Sequence, residues 1–333
     1  MIQPAERNIL VIGAAGYIGS VLVRKLLGMN YKVTALDNLI YNNGSSLADL
    51  YEKENFQFIY GDFGDEKILQ QSLVKVTDVI LLAALVGDPI CKKYPELAVK
   101  TNQENAIRLF EQLNNTNIKT FIFTSTCSNY GLREDDTSAD EESDLNPQSL
   151  YASTKVFFEK YIIAHAASVK FSPVILRLST AYGSSKRMRF DLTVSEFTRE
   201  LALNRDLLVY DETTWRPYCH TQDISDAIIK VIESPEELVK GEIFNVGSNT
   251  SNYTKKMIVD IACQCTNNYN VHFKTKGFDP RNYRVSFDKI RSKLNFNSRF
   301  LVEDTVPKLV SSIRNGLFDD VENRMNFYGN YEI

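Results

Sequence analysis

Short apolar runs alternate with stretches of helical periodicity along the first 180 residues of the chain. The runs that have the length and apolar content of buried parallel strands lie at residues 9–12, 32–36, 56–60, 78–82, 120–124 and 173–178. Between them, apolar residues recur with helical spacing, as they do along residues 95–114. The alternation predicts an α/β fold with a parallel sheet, whose ligand crevice lies at the carboxyl ends of the strands.

The first of these runs leads directly into a glycine-rich turn. Gly13, Gly16 and Gly19 follow a strand and precede a helical pattern, and the second strand ends in Asp37. Glycines in this position let the backbone approach a pyrophosphate, and a carboxylate at the second strand binds both ribose hydroxyls of NAD and repels the 2′-phosphate of NADP. The context favours a Rossmann-type, doubly wound sheet that binds NAD. The alternative is a glycine-rich turn in another kind of α/β protein.

Tyr151 and Lys155 are four residues apart in a helical segment, and Thr126 lies at the end of a predicted strand. A tyrosine and a lysine at this spacing share one helix face. Use of the phenol as a base near neutral pH needs its pKa lowered by about 3 units from about 10, or roughly 4 kcal/mol, and a nearby ammonium favours that change. The alternative is an amphipathic helix on which both side chains merely extend to the surface.

Composition excludes some partners. The 333 residues include 38 Lys plus Arg against 42 Asp plus Glu, a net charge of −4. A chain with no basic excess is not expected to bind nucleic acid or an anionic membrane surface. The amino terminus has no apolar signal core and no run approaches 18 apolar residues, so we expect a soluble, cytoplasmic protein. Five scattered cysteines and three dispersed histidines predict reduced thiols and no metal site.

Taken together, the motifs resemble those of the extended short-chain dehydrogenase/reductases, in the nucleotide-sugar epimerase/dehydratase branch. The resemblance covers nearly the whole chain. The residues that carry it are Gly13, Gly16, Gly19, Asp37-Asn38-Leu39, Gly61-Asp62, Leu82-Ala83-Ala84, Asn102, Ser125-Thr126, Tyr130-Gly131, Tyr151, Lys155, Arg177-Leu178, Tyr182-Gly183, Arg216, His220, Asp223, Arg281 and Tyr283.

The resemblance implies roles for most of these residues. Thr126, Tyr151 and Lys155 become the catalytic residues: Thr126 hydrogen-bonds the reacting sugar hydroxyl, Tyr151 takes its proton, and Lys155 binds the nicotinamide ribose. The residues that it implies for binding the cofactor NAD are Gly13, Gly16, Tyr17, Ile18, Gly19, Asp37, Asn38, Asp62, Phe63, Leu82, Ala83, Ala84, Asn102, Thr124, Tyr151, Lys155 and Leu178. Among these, Asp62 is expected to bind the adenine amino group. Asn102 is expected to brace the site from the long helix predicted over residues 95–114.

A second set is expected to bind a nucleotide-diphosphate sugar. It consists of Val86, Thr126, Cys127, Thr180, Arg187, Arg189, Arg216 and Arg281. Arg216 and Arg281 resemble a diphosphate clamp, since guanidinium groups suit phosphate oxygens; the alternative is a pair of surface ion pairs. The loop with Arg187 and Arg189 could equally be solvated. Cys127 is a candidate acid/base, and His220 is expected to be a packed histidine rather than a catalytic one.

Two departures from the family pattern narrow the expected reaction. Cys127-Ser128 follows the catalytic threonine where sugar 4,6-dehydratases have Asp-Glu, which argues against dehydration. Thr180 replaces the usual asparagine after the predicted strand at residues 173–178. The remaining chemistry is oxidation of a sugar carbon, expected at carbon 4, either as a net dehydrogenation or as the first half of an epimerisation. A regulatory protein with this fold is the third alternative, and the intact Thr126, Tyr151 and Lys155 argue against it.

Other segments suggest the substrate and the organisation of the chain. Residues 83–91, 215–218 and 279–285 look most like those of bacterial capsule-pathway enzymes that oxidise carbon 4 of a GDP-linked heptose. We expect residues 1–180 to form the NAD-binding domain and residues 181–333 to form the sugar-binding lobe. A return segment at about 215–247 is expected to pass back from this lobe to the NAD-binding domain. The family resemblance also implies a homodimer or higher homo-oligomer that associates through the long helix and the helix of Tyr151.

Overall fold

A computed structural model describes residues 4–133, 137–275 and 281–333. In these ranges the strands are β1 Asn8–Ile12, β2 Lys32–Asp37, β3 Phe56–Tyr60, β4 Asp78–Leu81, β5 Thr120–Thr126, β6 Ser138–Ala139, β7 Ser172–Leu178, β8 Thr180–Tyr182, β9 Leu207–Tyr210, β10 Trp215–His220, β11 Ile243–Val246, β12 Asn252–Thr254, β13 Val271–Lys274 and β14 Arg284–Val285. Seven of them form one parallel sheet in the order β11-β7-β5-β4-β1-β2-β3. The predicted Rossmann-type fold is confirmed.

Helices cover both faces of this sheet. Over the same described ranges they are α1 Gly19–Gly28, α2 Glu66–Ser72, α3 Asp88–Lys93, α4 Pro95–Val99, α5 Ala106–Leu113, α6 Leu150–His165, α7 Thr193–Ala202, α8 Thr221–Glu233, α9 Glu236–Val239, α10 Lys255–Thr266, α11 Asp288–Leu294 and α12 Val302–Arg314. None of these helices is long and apolar enough to cross a bilayer.

The core follows from the apolar content of the central strands. Every residue of β4, β5 and β7 is buried, as parallel strands covered on both faces require. One apolar cluster joins β1 and β2 to α1 and α8, and a second joins the opposite face to α5 and α6. The sheet is therefore rigid where its carboxyl edge supports the cleft described below.

Residues after β7 build a third apolar cluster and small sheets of their own. In that part of the chain α7, α10 and α12 pack together, β10 pairs with β8 and β12, and β13 pairs with β9. The chain also returns to the main sheet, because α8 packs against α1 and β11 pairs with β7 at the sheet edge.

The long helix expected over residues 95–114 is present as a continuous helical run that contains a π-helical turn. A π-helical turn, Lys100–Asn105, separates α4 from α5. Asn102 lies in this turn, and its amide accepts a hydrogen bond from Leu85 N (2.8 Å) and donates to Leu85 O (3.1 Å) and to Thr154 Oγ1 (3.2 Å). The wider turn thus fixes Asn102 against the loop that follows β4; π-helical turns often lie at functional sites.

Candidate active site

A cleft of about 700 Å³ lies along the carboxyl edge of the main sheet, between this sheet and the residues that follow β7. It brings together all but two of the predicted site residues. Those that line it are Gly13, Gly16, Tyr17, Ile18, Gly19, Asp37, Asn38, Asp62, Phe63, Leu82, Ala83, Ala84, Val86, Thr124, Thr126, Tyr151, Lys155, Leu178, Thr180, Arg187, Arg189, Arg216 and Arg281.

The glycine-rich turn joins β1 to α1 at the floor of the cleft. Gly13 has φ +89°, and a β-carbon there would lie 2.7 Å from the backbone nitrogen of Ala83. A β-carbon on Gly19 would lie 2.2 Å from the carbonyl oxygen of Gly13. Both positions therefore require glycine, and the tight turn leaves the start of α1 at the cleft, where a helix favours an anionic group.

Two carboxylates are held at the ends of β2 and β3. Asp37 accepts hydrogen bonds from Ala15 N and Leu39 N, both 2.9 Å long, and Asp62 accepts from Gly64 N (2.7 Å) and from the amide of Asn38 (3.0 Å). Burial raises the pKa of Asp37, and the two backbone hydrogen bonds oppose that rise. These acceptors and the open glycine turn fit the adenosine and diphosphate of the dinucleotide that the sequence implied.

The proposed catalytic residues meet where β5 ends and α6 begins. Ser149 caps α6 and places Tyr151 in its first turn, and Thr126 is the last residue of β5. Lys155 is 2% exposed; its Nζ donates to Thr124 O at 3.0 Å and lies 5.9 Å from the centroid of the Tyr151 ring. Thr126 Oγ1 accepts a hydrogen bond from Ser128 N at 3.0 Å.

The environment of Tyr151 shifts its pKa in the direction opposite to the one expected. Burial raises the pKa of Tyr151, and the neighbouring Cys91 and Asp88 raise it further. Burial also lowers the pKa of Lys155 to about 8. The physical reason is that the lysine directs its ammonium to the carbonyl of Thr124, so its field does not offset the desolvation of the phenol.

Two predicted site residues do not line the cleft. Asn102 was expected to bind the cofactor and to brace the site from the long helix; it does not line the cleft, but it holds Leu85 and Thr154 from behind the cleft wall, as bracing requires. Cys127 was expected at the substrate, but it is 1% exposed and its Sγ donates to Arg177 O at 3.3 Å. Burial raises the pKa of the Cys127 thiol, which opposes an acid/base role. His220 also packs structurally, since it caps α8 and stacks on Phe300.

The arginines of the cleft already have protein partners. Arg281 forms a 3.0 Å ion pair with Asp88 and donates to Ser128 Oγ at 3.2 Å, and Arg216 lies over the ring of Tyr283. Arg189 forms a bidentate pair with Asp191. Arg187 donates to three acceptors in residues 326–330.

Several residues of the cleft had no motif to reveal them. Asp88, Lys93, Glu196, Asn330 and Tyr331 line it but come from loops, helices and the end of the chain. A partial signal existed for Asp88, because it lies within the segment 83–91 that the resemblance had singled out. No comparable pattern marked Asn330 or Tyr331.

Comparisons with known proteins identify the family of this chain. Residues 9–247 match the model of the NAD dependent epimerase/dehydratase family. A probable UDP-arabinose 4-epimerase 3 of Oryza sativa is 26% identical over 90% of this chain and 80% of its own length. The UDP-glucose 4-epimerase of Corynebacterium glutamicum is 27% identical over 89% of this chain and 94% of its own length.

Solved structures show the same fold. The crystal structure of a UDP-glucose 4-epimerase with UDP-glucose from Thermotoga maritima superposes with a TM-score of 0.84 at 25% identity, and covers 93% of this chain and 99% of that one. Neighbours with bound NAD include the UDP-glucose 4-epimerase of Thermus thermophilus, at TM-score 0.81 and 22% identity, over 93% of this chain and 99% of that one. The chain is therefore an enzyme that belongs to the NAD-dependent epimerase/dehydratase family, and its cofactor is NAD.

Proposed function

We propose that this enzyme is a nucleotide-sugar 4-epimerase that oxidises carbon 4 of its substrate and reduces it again from the other face. The observation that supports this most is the position of Thr126, Tyr151 and Lys155 in the same cleft as the glycine turn and Asp37, with Arg216 and Arg281 also on its walls. The relatives whose names give an activity on UDP-arabinose or UDP-glucose are 4-epimerases. A UDP-linked neutral sugar is accordingly the first substrate to test.

Each residue has a distinct task in this proposal. Asp37, Asp62 and the glycine turn would hold the adenosine and diphosphate of NAD. The chemistry that bound NAD supplies is acceptance and return of a hydride, with a positive charge on its oxidised ring that favours a nearby phenolate. Thr126 orients the hydroxyl of the sugar by a hydrogen bond. Tyr151 Oη accepts the proton of that hydroxyl and later returns it.

Dehydration is a weaker candidate than epimerisation. Elimination of water needs an acid and a base near carbons 5 and 6, and the positions after Thr126 are Cys127 and Ser128. Cys127 is buried behind the cleft wall, while Ser128 lines the cleft and accepts a hydrogen bond from Arg281. This pair offers no carboxylate for the elimination.

The second candidate is a net 4-dehydrogenase that converts GDP-D-glycero-D-manno-heptose to its 4-keto form for capsule or surface polysaccharide biosynthesis. The observation that favours it is that segments with this resemblance lie at the cleft, through Val86, Asp88, Arg216 and Arg281. Asp279 and Pro280, which share in that resemblance, lie outside the described residues. A net dehydrogenase needs either release of NADH or a second carbonyl substrate that takes the hydride back.

Product analysis separates the two candidates. The purified enzyme is incubated with UDP-glucose, UDP-arabinose and the GDP-heptose, and the products are followed by NMR together with absorbance at 340 nm. An epimer without net NADH supports the epimerase, and a 4-keto sugar with stoichiometric NADH supports the dehydrogenase. A thermal-shift panel of UDP and GDP identifies the base, because a ligand at 100 times its Kd stabilises the native state by about 2.7 kcal/mol.

We also propose how the chain is organised around this reaction. Residues 1–180, with the return segment at about 215–247, bind NAD, and residues 181–333 bind the nucleotide sugar. A homodimer would form through α4–α5 and α6; the outward side chains of Phe157 and Ile163 on α6, 50% and 49% exposed, support this surface. Light scattering after gel filtration is expected to give a dimer for the wild type and a monomer for Phe157→Glu. A monomeric wild type would contradict the proposed interface.

A further inference from the structure

Residues 326–332, called the strap below, lie across the cleft and connect its two sides. Asn330 is 9% exposed, and its amide nitrogen donates to Val86 O at 3.1 Å. Its amide oxygen accepts a 2.8 Å hydrogen bond from Arg187. One side chain thus joins the loop that follows β4 to the loop that follows β8.

Further contacts hold the strap on both sides. Arg187 also donates to the carbonyl oxygens of Asn326 and Gly329, both at 3.1 Å, and Asn330 N donates to Asp191 at 3.2 Å. On the other side, Lys93 of α3 forms a 2.6 Å ion pair with Glu332. The strap is therefore fastened at several points rather than laid loosely over the surface.

The order of strands in the sheet places the strap relative to the glycine turn. β1 lies between β4 and β2, and the turn of Gly13 to Gly19 follows β1. The Val86 attachment follows β4, and the guanidinium of Arg187 lies 4.6 Å from the ring centroid of Tyr41, in the loop after β2. The strap is thus fastened to the loop after β4 and, through Arg187, lies next to the loop after β2, so we infer that it passes in front of the turn that receives the dinucleotide diphosphate.

The same contacts give Arg187 a task other than phosphate binding. Arg187 is 3% exposed, its guanidinium already donates to three acceptors of the strap, and burial together with Arg189 lowers its pKa to about 10. An arginine with these contacts is a positioning residue for the strap. Asn330 and Tyr331, in turn, form part of the cleft wall.

We propose that the strap retains NAD, so that Asn330 acts as a latch that must open before the cofactor can leave. This inference bears on the proposed function, because an epimerase has to keep its reduced cofactor between the two half-reactions whereas a net dehydrogenase has to exchange it. Cofactor release can be measured without any sugar. Failure of the latch and failure of the proposed reaction are therefore distinguishable.

The test compares release of NADH from the full chain of the wild type, Asn330→Ala and Asn323→Ala. Asn323 is an exposed asparagine seven residues before Asn330 and outside the strap, so Asn323→Ala is the matched control. Each protein is loaded with NADH and mixed in a stopped-flow instrument with excess NAD, and the loss of NADH fluorescence gives the release rate. Loss of two hydrogen bonds is expected to speed release by about 10-fold in Asn330→Ala, with no change in Asn323→Ala. An unchanged rate in Asn330→Ala overturns the proposal.

A second variant keeps the test independent of folding. Glu332 is 66% exposed, so that Glu332→Lys repels Lys93 without disturbing the core. Release is expected to be about 2- to 5-fold faster than in the wild type, and more so at low salt. Glu54→Lys, an equal charge reversal at an exposed site before β3, is expected to leave the rate unchanged. Equal release from Glu332→Lys and Glu54→Lys contradicts a strap that holds the cofactor.

Discussion

Lys155 and Tyr151 show how burial opposes the chemistry that the residue pattern suggests. Spacing alone predicts an ammonium beside a phenol, and the structure has that arrangement, with Nζ 5.9 Å from the ring centroid. Desolvation nevertheless raises the pKa of the phenol and lowers that of the lysine to about 8. Burial of these two groups costs the protein free energy, and such unfavourable pKa shifts are typical of functional sites, where the charges of a ligand offset them.

The lysine therefore predicts a pH-dependent stability. Its pKa falls from 10.5 in the unfolded chain to about 8 in the native protein, so between these values only the unfolded state binds the proton. The destabilisation is complete below pH 8 and is relieved as the pH rises towards 10.5. Lys155→Met is expected to raise the free energy of unfolding by about 1–3 kcal/mol at pH 7, after loss of the bond to Thr124 is allowed for.

Urea unfolding of the NAD-free protein at pH 7 and pH 10 measures this difference. The gain in Lys155→Met is expected to shrink at pH 10. At that pH the native lysine of the wild type is neutral, so burying it no longer costs the free energy of desolvating a charge. Lys240→Met, at an exposed lysine, serves as the control. A gain that is equal at both pH values would show that burial of charge is not its cause.

Asp88 predicts a change in the affinity for nucleotide diphosphates. Its carboxylate forms a 3.0 Å ion pair with Arg281 in the cleft, so it competes with a diphosphate for the same guanidinium and also repels it. Because the pair is partly exposed, Asp88→Asn is expected to tighten binding of the preferred nucleoside diphosphate by only about 3- to 10-fold.

Isothermal titration with UDP and GDP checks this prediction. Asp288→Asn is the matched control, since Asp288 forms an exposed ion pair with Arg291 away from the cleft. Weaker or unchanged binding in Asp88→Asn would mean that Arg281 does not receive the diphosphate.

At the scale of elements, the strands were more predictable than the helices and loops. The apolar runs at residues 9–12, 120–124 and 173–178 correspond to β1, β5 and β7, because burial on both faces leaves a continuous apolar signature. The π-helical turn within the long helix was not predicted. Its cause is the three hydrogen bonds of Asn102, which depend on tertiary contacts.

The helix that bears Tyr151 is held by a buried ion pair, which predicts a large loss of stability when the pair is broken. Glu159 of α6 and Arg177 of β7 are bidentate partners, with side chains 1% and 4% exposed, and Arg177 also donates to Tyr130. Glu159→Gln leaves a buried guanidinium without its counter-charge. The free energy of unfolding is expected to fall by about 3–5 kcal/mol.

Chemical denaturation of Glu159→Gln beside Glu236→Gln tests this prediction. Glu236 pairs with Lys240 on the surface of α9, and its replacement is expected to cost only about 0–1 kcal/mol. Similar losses in the two variants would contradict the assigned difference between a buried and an exposed pair.

At the scale of the whole molecule, the cleft joins residues that are distant in the chain. The glycine turn, Asp37 and the Tyr151–Lys155 pair could be placed from the sequence, because each follows a strand or opens a helix and parallel strands present their carboxyl ends together. Asp88 and Asn330 could not be placed in this way. Their positions depend on the path of loops and of the end of the chain, which no local periodicity records.

The position of the Cys127 side chain also depends on a contact with a strand that is distant in the chain. Its neighbour Thr126 lines the cleft, and the next side chain of the strand end points the other way, towards the carbonyl of Arg177 on β7. Sequence adjacency to a proposed catalytic residue thus did not indicate a shared site, since alternate side chains at a strand end face opposite sides.

The central claim is that Tyr151 accepts the proton of a sugar hydroxyl while NAD is bound in this cleft. It is tested most directly by the rate at which Tyr151→Phe forms product from the preferred nucleotide sugar, measured with NAD affinity in the same preparation. We expect the rate to fall by about 10²- to 10⁴-fold, the usual contribution of a general base, with little change in NAD affinity. An undiminished rate in Tyr151→Phe would contradict the account.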